Sequence, residues 1–267
     1  MKALHVVLFL TGFNLMLVGC SSPDEQNETE NATSHYQPQK EEQLLDKERE
    51  RIDEYIASNG RESHSLSYSN ESGDSYKVII HSDDKDEVLI YEENSSKGAQ
   101  SSMGRTLFYM KGEHPFMTVE RYDDSSGPSS MVFIERISYY DKAGKVFHTK
   151  QKVAVSEDDL ENVEYKSVAS QTLSMDRVLD IVNQQGKFEL TFQGFILSEE
   201  SLDFLLVGAP VKDGFNSALQ VEHYDAFIKA AKADQKKYLN RKVNIKFHIE
   251  NVNGYEYQVY EAGSWLE

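Results

Sequence analysis

Apolar residues recur along this chain at two spacings, and each change of spacing marks a new segment. Over 41–58 they are few. Leu45, Ile52, Tyr55 and Ile56 form a narrow stripe at helical spacing in a densely charged stretch, which predicts a helix packing one edge on the next domain. Asn59-Gly60 ends it with a residue that tolerates a left-handed cap. Short β-type runs then appear at 76–80, 88–91, 106–110, 116–122, 131–140 and 146–155. Turn chemistry separates them, in Lys111-Gly112-Glu113, Asp123-Asp124-Ser125-Ser126-Gly127-Pro128 and Asp141-Lys142-Ala143-Gly144. The expectation is a meander of antiparallel hairpins. Val132 and Ile134 fall on one face and Phe133, Ile137 and Tyr139 on the other, so the sheet must be curled or covered on both sides.

After a weakly patterned, acidic stretch at 156–173, Ser174 is placed to cap a helix. Met175, Val178, Leu179, Ile181 and Val182 are its apolar positions, and Gly186 ends it. Phe188, Leu190 and Phe192 alternate with polar residues as in a strand, which Gly194 interrupts where a sharp bend is easy. Strands are expected at 202–207 and 218–221. A helix then carries Tyr224, Phe227, Ile228, Ala231 and Tyr238 on one face. Val243, Ile245, Phe247 and Ile249 alternate again, and Asn253-Gly254 turns the chain into Tyr255, Tyr257 and Val259. Three strands, a helix and two strands, with a glycine in the first, resemble an OB-fold. That resemblance implies a small barrel binding oligonucleotides or oligosaccharides on one strand face. The competing architecture is an unclosed α+β sheet with one covering helix. The fold class expected is mainly β with helices (α+β): an antiparallel β-meander domain, then a small OB-like barrel with one helix.

The N-terminus carries a different signal. Lys2 is followed by an apolar stretch from Ala3 to Val18, broken by His5, Thr11 and Asn14, and closed by Leu17-Val18-Gly19-Cys20. These residues resemble a bacterial lipoprotein signal peptide with its lipobox. The resemblance implies acylation of the Cys20 thiol, removal of 1–19 and a mature chain held at a cell-envelope membrane by lipid, facing away from the cytoplasm. The apolar stretch is too short for a spanning helix, which needs about 20 residues. Cys20 is the sole cysteine, so no disulfide is available and the chain folds on core packing alone. Residues 20–40, rich in Ser, Asn, Glu and Gln, suit a flexible tether. The expected order is signal peptide 1–19, linker 20–40, helix plus meander 41–155, connector 156–173 and OB-like domain 174–267. Tyr109-Met110-Lys111-Gly112, Phe116-Met117-Thr118-Val119-Glu120 and 139–146 also resemble strand-turn-strand units of Bacteroidetes lipoproteins.

A formal net charge of −17 argues against nucleic acid and anionic headgroups as partners. One local reversal stands out. Lys229, Lys232, Lys236, Lys237, Arg241, Lys242 and Lys246 gather on the last helix and the next strand, as an anion-binding patch or as a solvated helix face. The eight histidines form neither H-x-H nor H-E-x-x-H, so no metal is expected. Asp83, Asp84, Asp86 and Glu87 lack calcium-loop spacing and fit a hairpin turn. No G-x-S-x-G elbow or Gly-rich phosphate loop occurs, and no cofactor is called for. The function expected is a non-enzymatic binding or structural module whose partner is an envelope protein or oligosaccharide. The alternative is an envelope hydrolase or hydrophobic-ligand carrier with a site assembled from distant residues.

Overall fold

The computed structural model describes residues 38–98, 102–125, 131–197 and 203–266. The expected signal peptide, Cys20 and nearly all of the expected linker lie outside the described residues. Helix α1 spans Pro38–Asn59, starting inside the stretch expected as tether. Gly60 N–H bonds back to Ile56 O at 3.1 Å and stops the helix.

Two short strands come next that the pattern does not reveal, β1 (Arg61–His64) and β2 (Tyr68–Ser69). The meander then matches its expected runs: β3 (Ser75–Ser82), β4 (Val88–Lys97), β5 (Ser102–Lys111), β6 (His114–Asp124), β7 (Val132–Tyr140) and β8 (Val146–Ala154). Each pairs antiparallel with the next. The β3–β4 and β7–β8 turns share one construction. Asp83 Oδ1 accepts N–H bonds from Lys85 and Glu87 at 2.9 and 2.8 Å, and Asp141 Oδ1 accepts them from Ala143 and Lys145 at 2.9 Å each. Asp83 is thus a turn-former, as the absence of calcium-loop spacing implies. Beyond β8 come a 3-10 helix at Asp158–Asn162 and β9 (Lys166–Ser167).

Helix α2 runs Asp176–Asn183, with Ser174 Oγ accepting the Asp176 N–H at 3.0 Å. It ends at Gln184 in the left-handed region, ahead of the expected Gly186. Phe188 and Leu190 are buried but not in a strand: Gly186–Phe188 is a 3-10 helix, and β10 is Thr191–Leu197. An irregular backbone turns both side chains inward at alternate positions. Next are β11 (Asp203–Gly208) and β12 (Asn216–Val221). The single expected helix is two, α3 (Ala226–Ala233) and α4 (Gln235–Tyr238), because Asp234 leaves helical geometry and caps the second through the Lys237 N–H. Strands β13 (Val243–Val252) and β14 (Tyr255–Trp265) form a hairpin over Asn253-Gly254. Both turn residues have positive φ, 53° and 85°, as the preferred two-residue hairpin turn requires.

Among the described residues, fourteen strands share one large mixed sheet, which is not closed into a barrel. β10, β11 and β12 pair antiparallel in order, β12 meets β14 in parallel, and β14 pairs β13. Thr191 bridges antiparallel to Lys242, and Phe192 N–H bonds Arg241 O at 2.9 Å. The segments expected as two domains share this sheet, through Asn216 opposite Ser69, and lie in one unit.

Both faces of the meander are covered, as its two apolar faces require. On one, Ile52 of α1 packs with Tyr109, Met117, Val119, Ile137 and Tyr139. On the other, Tyr76, Val78 and Phe108 join a larger core with Val178, Ile181, Phe192, Leu205 and Tyr260. Trp265 closes this core, stacked on Tyr238 at 4.3 Å and near Phe227 at 4.5 Å, and so packs the C-terminus down.

Candidate ligand recess on the meander

Cross-strand register, rather than sequence proximity, assembles the most chemically distinctive surface. Lys77, Asn94, Arg105, Arg121, Glu135 and Lys152 stand opposite one another in turn across β3 to β8. One step along the strands on the same face lies the row of Glu92, Leu107, Val119, Ile137 and Lys150, to which α1 is docked. Polar contacts hold α1 there: the Tyr139 and Tyr109 hydroxyls donate to Asp46 and Asp53 at 2.8 and 2.9 Å, and His148 pairs with Glu42 at 2.8 Å. A cavity of about 250 Å³ remains beneath the helix, bordered by Arg49, Asp53, Arg105 and Arg121. On the far side of the arginine row, a recess of about 590 Å³ opens, lined by Met103, Met131, Phe133 and Leu160 together with Arg105 and Arg121. Its volume is in the ~300–1,000 Å³ range of small-molecule sites.

Buried carboxylates anchor the arginines. Glu92 accepts from Arg105 Nε and Nη2 at 2.9 and 2.8 Å, from Asn94 at 3.0 Å, and meets His81 Nε2 at 3.3 Å. Burial alone would raise its pKa. The hydrogen bonds from His81, Arg105 and Asn94, with the Arg105 charge, outweigh burial and hold it far below the usual carboxylate range. Glu135 behaves alike: burial pushes up, while Tyr165, Lys152 and Arg121 pull down and prevail. For Glu120 on the opposite face the balance reverses. Burial raises its pKa, and Arg136 at 3.7 Å only partly opposes this. A raised carboxyl costs stability when ionised and nothing below its unfolded value. Glu120→Gln is therefore expected to raise the urea midpoint at pH 7, with the gain vanishing below about pH 4.3. An equal gain at both pH values would mean that ionisation of Glu120 is not the cause.

None of the seven basic residues singled out in the sequence borders either of the two cavities just described. Lys232 is tied to Asp203 and Tyr224, and Lys242 to Glu189 at 2.5 Å. Lys237 and Arg241 lie over the Tyr238 ring at 5.1 and 5.6 Å, and Arg241 also over Trp265 at 5.3 Å. Lys229, Lys236 and Lys246 are exposed. Exposed His248 sits between Glu250 and Glu261 at 3.1 and 3.0 Å, which raise its pKa. Among the described residues, no group of His, Cys, Asp and Glu is arranged to hold a metal ion. Sequence reasoning misses Arg105 and Arg121 altogether; their only signal is a matching position in consecutive strands. Comparison with protein-family models, curated proteins and solved structures gives no significant match.

Proposed function

We propose that this chain is a lipid-anchored, non-enzymatic binding protein of the bacterial cell envelope. Its C-terminal third is an OB-like five-stranded unit set within the open sheet, and its ligand site is the recess beside the Arg105–Arg121 row. The strand order β10-β11-β12-β14-β13, the parallel β12–β14 contact and the Thr191–Lys242 bridge support the OB-like reading. The recess carries the binding reading. It combines an apolar wall with two cations and, among the described residues, borders no nucleophile paired with a base, which favours holding a ligand over transforming it. Between a hydrophobic-ligand carrier and a hydrolase, these features support the carrier. The run ending in Cys20 supports the anchor.

Mass spectrometry of the chain extracted from bacterial membranes tests both parts. The expected mass begins at Cys20 with covalent acyl groups, and a noncovalently held small molecule survives gentle desolvation. Cys20→Ser is expected to remove the mature protein from the membrane fraction. An unmodified thiol or a retained leader would overturn the anchor, and the bare acylated mass would overturn the carrier.

A further inference from the structure

We propose that the recess takes an amphipathic anion, with its apolar tail against Met103, Met131, Phe133 and Leu160 and a carboxylate or phosphate head on Arg105 and Arg121. This rests on the reading of the recess as the ligand site. Arg105 and Arg121 are direct partners across β5 and β6. Opposed residues hold their Cβ atoms about 4.5–5.5 Å apart, and like charges so placed repel. Each arginine has its carboxylate on the outer flank, Glu92 on β4 and Glu135 on β7, and not between the two. An anionic head bridging the guanidinium groups relieves that repulsion.

Exposure sorts the charges the same way. The two arginine side chains are 50% and 48% exposed, whereas their carboxylate partners are 10% and 4%. Both arginines line the recess, and their partner carboxylates are the buried member of each pair. The Glu92 contact engages Nε and Nη2 of Arg105, and a guanidinium offers five N–H donors in a planar fork suited to carboxylate and phosphate. Two acidic residues also line the recess. Asp123 accepts from Ser102 Oγ at 3.2 Å and from the Met103 N–H, and Glu157 is exposed. Apolar tail contacts are supplied by Met103 and Met131, which are 71% and 47% exposed, and by the buried Leu160. Methionine adapts its shape to varied apolar ligands. A neutral head would leave the arginine repulsion in place, and a cationic head would add to it.

Isothermal titration calorimetry of the full chain with decanoate, decan-1-ol and decylammonium tests the assignment. Decanoate is expected to bind at least about tenfold more tightly than decanol, and decylammonium more weakly than either. Arg105→Gln alone strands a buried carboxylate and endangers folding, so the informative variant pairs it with Glu92→Gln. That double variant is expected to cut decanoate affinity about tenfold and to leave decanol unchanged. Equal affinity for decanoate and decanol would overturn the anionic head while leaving an apolar ligand site. Binding of none of the three probes, or binding indifferent to Met103→Asp with Met131→Asp, would overturn the recess reading itself.

Discussion

Phe192→Ala is expected to lower the free energy of unfolding by about 4 kcal/mol, through lost burial and the cavity left behind. The ring is fully buried, with Phe195 at 5.5 Å and Trp265 at 5.8 Å from its centroid. Relaxation cannot fill the gap cheaply because the backbone is pinned on both sides. Phe192 donates to Arg241 O at 2.9 Å and accepts from the Asn240 N–H at 2.8 Å. Immediately afterwards the β10–β11 register shifts at Gly194, whose φ of 132° few other residues adopt. Trp265 is the sole tryptophan, so its fluorescence in a urea titration reports the change directly. Ile196→Ala, at a position 49% exposed on the same strand, should cost under about 0.5 kcal/mol. Similar losses for the two variants would show that this junction is not a packed centre of the core.

Arg177→Ala should cost about 3 kcal/mol, for an electrostatic reason. Arg177 on α2 grips Glu93 on β4 with two bonds of 2.6 Å, and the Glu93 side chain is only 3% exposed. The guanidinium also covers the Tyr76 ring at 4.7 Å, and Tyr76 in turn abuts Phe188 and Phe215. Alanine leaves a carboxylate in the interior with its partner gone. Glu93→Leu combined with Arg177→Leu is expected to recover most of the loss, since a well-packed apolar pair often equals a buried ion pair. Chemical denaturation of the single and double variants side by side at pH 7 checks this. A double variant no better than Arg177→Ala would mean the arginine matters for shape and not for charge.

The meander is legible in the sequence because its turns announce themselves. Asp141 and Gly144 supply a side-chain acceptor and a positive φ of 74°, and Asp86 adopts a φ of 64° at the equivalent place in the β3–β4 turn. The short strands β1 and β2 are hidden. Arg-Glu-Ser-His has no apolar alternation, and Tyr68–Ser69 is too brief to show a period. Phe188 and Leu190 mislead because inward-facing residues at alternate positions arise from a 3-10 turn as well as from a strand. The basic cluster is visible as composition along a helix, which says nothing about partners such as Asp203 and Glu189 arriving from other segments. Arg105 and Arg121 are far enough apart in sequence that only a known register brings them together.

The pairing of Ser69 with Asn216 has a consequence for how this chain must be made. A two-residue strand holds one neighbour nearby in β3 and the other far along the polypeptide. Such high contact order slows folding toward the millisecond-to-second regime, because distant ends must meet before any contact rewards them. A nascent or truncated chain ending short of residue 216 lacks Leu219, Phe227, Ile228 and Tyr260 from the core that Tyr76 and Val78 join, beside a sheet margin open to intermolecular pairing. The vulnerable moment in the life of this protein is its synthesis.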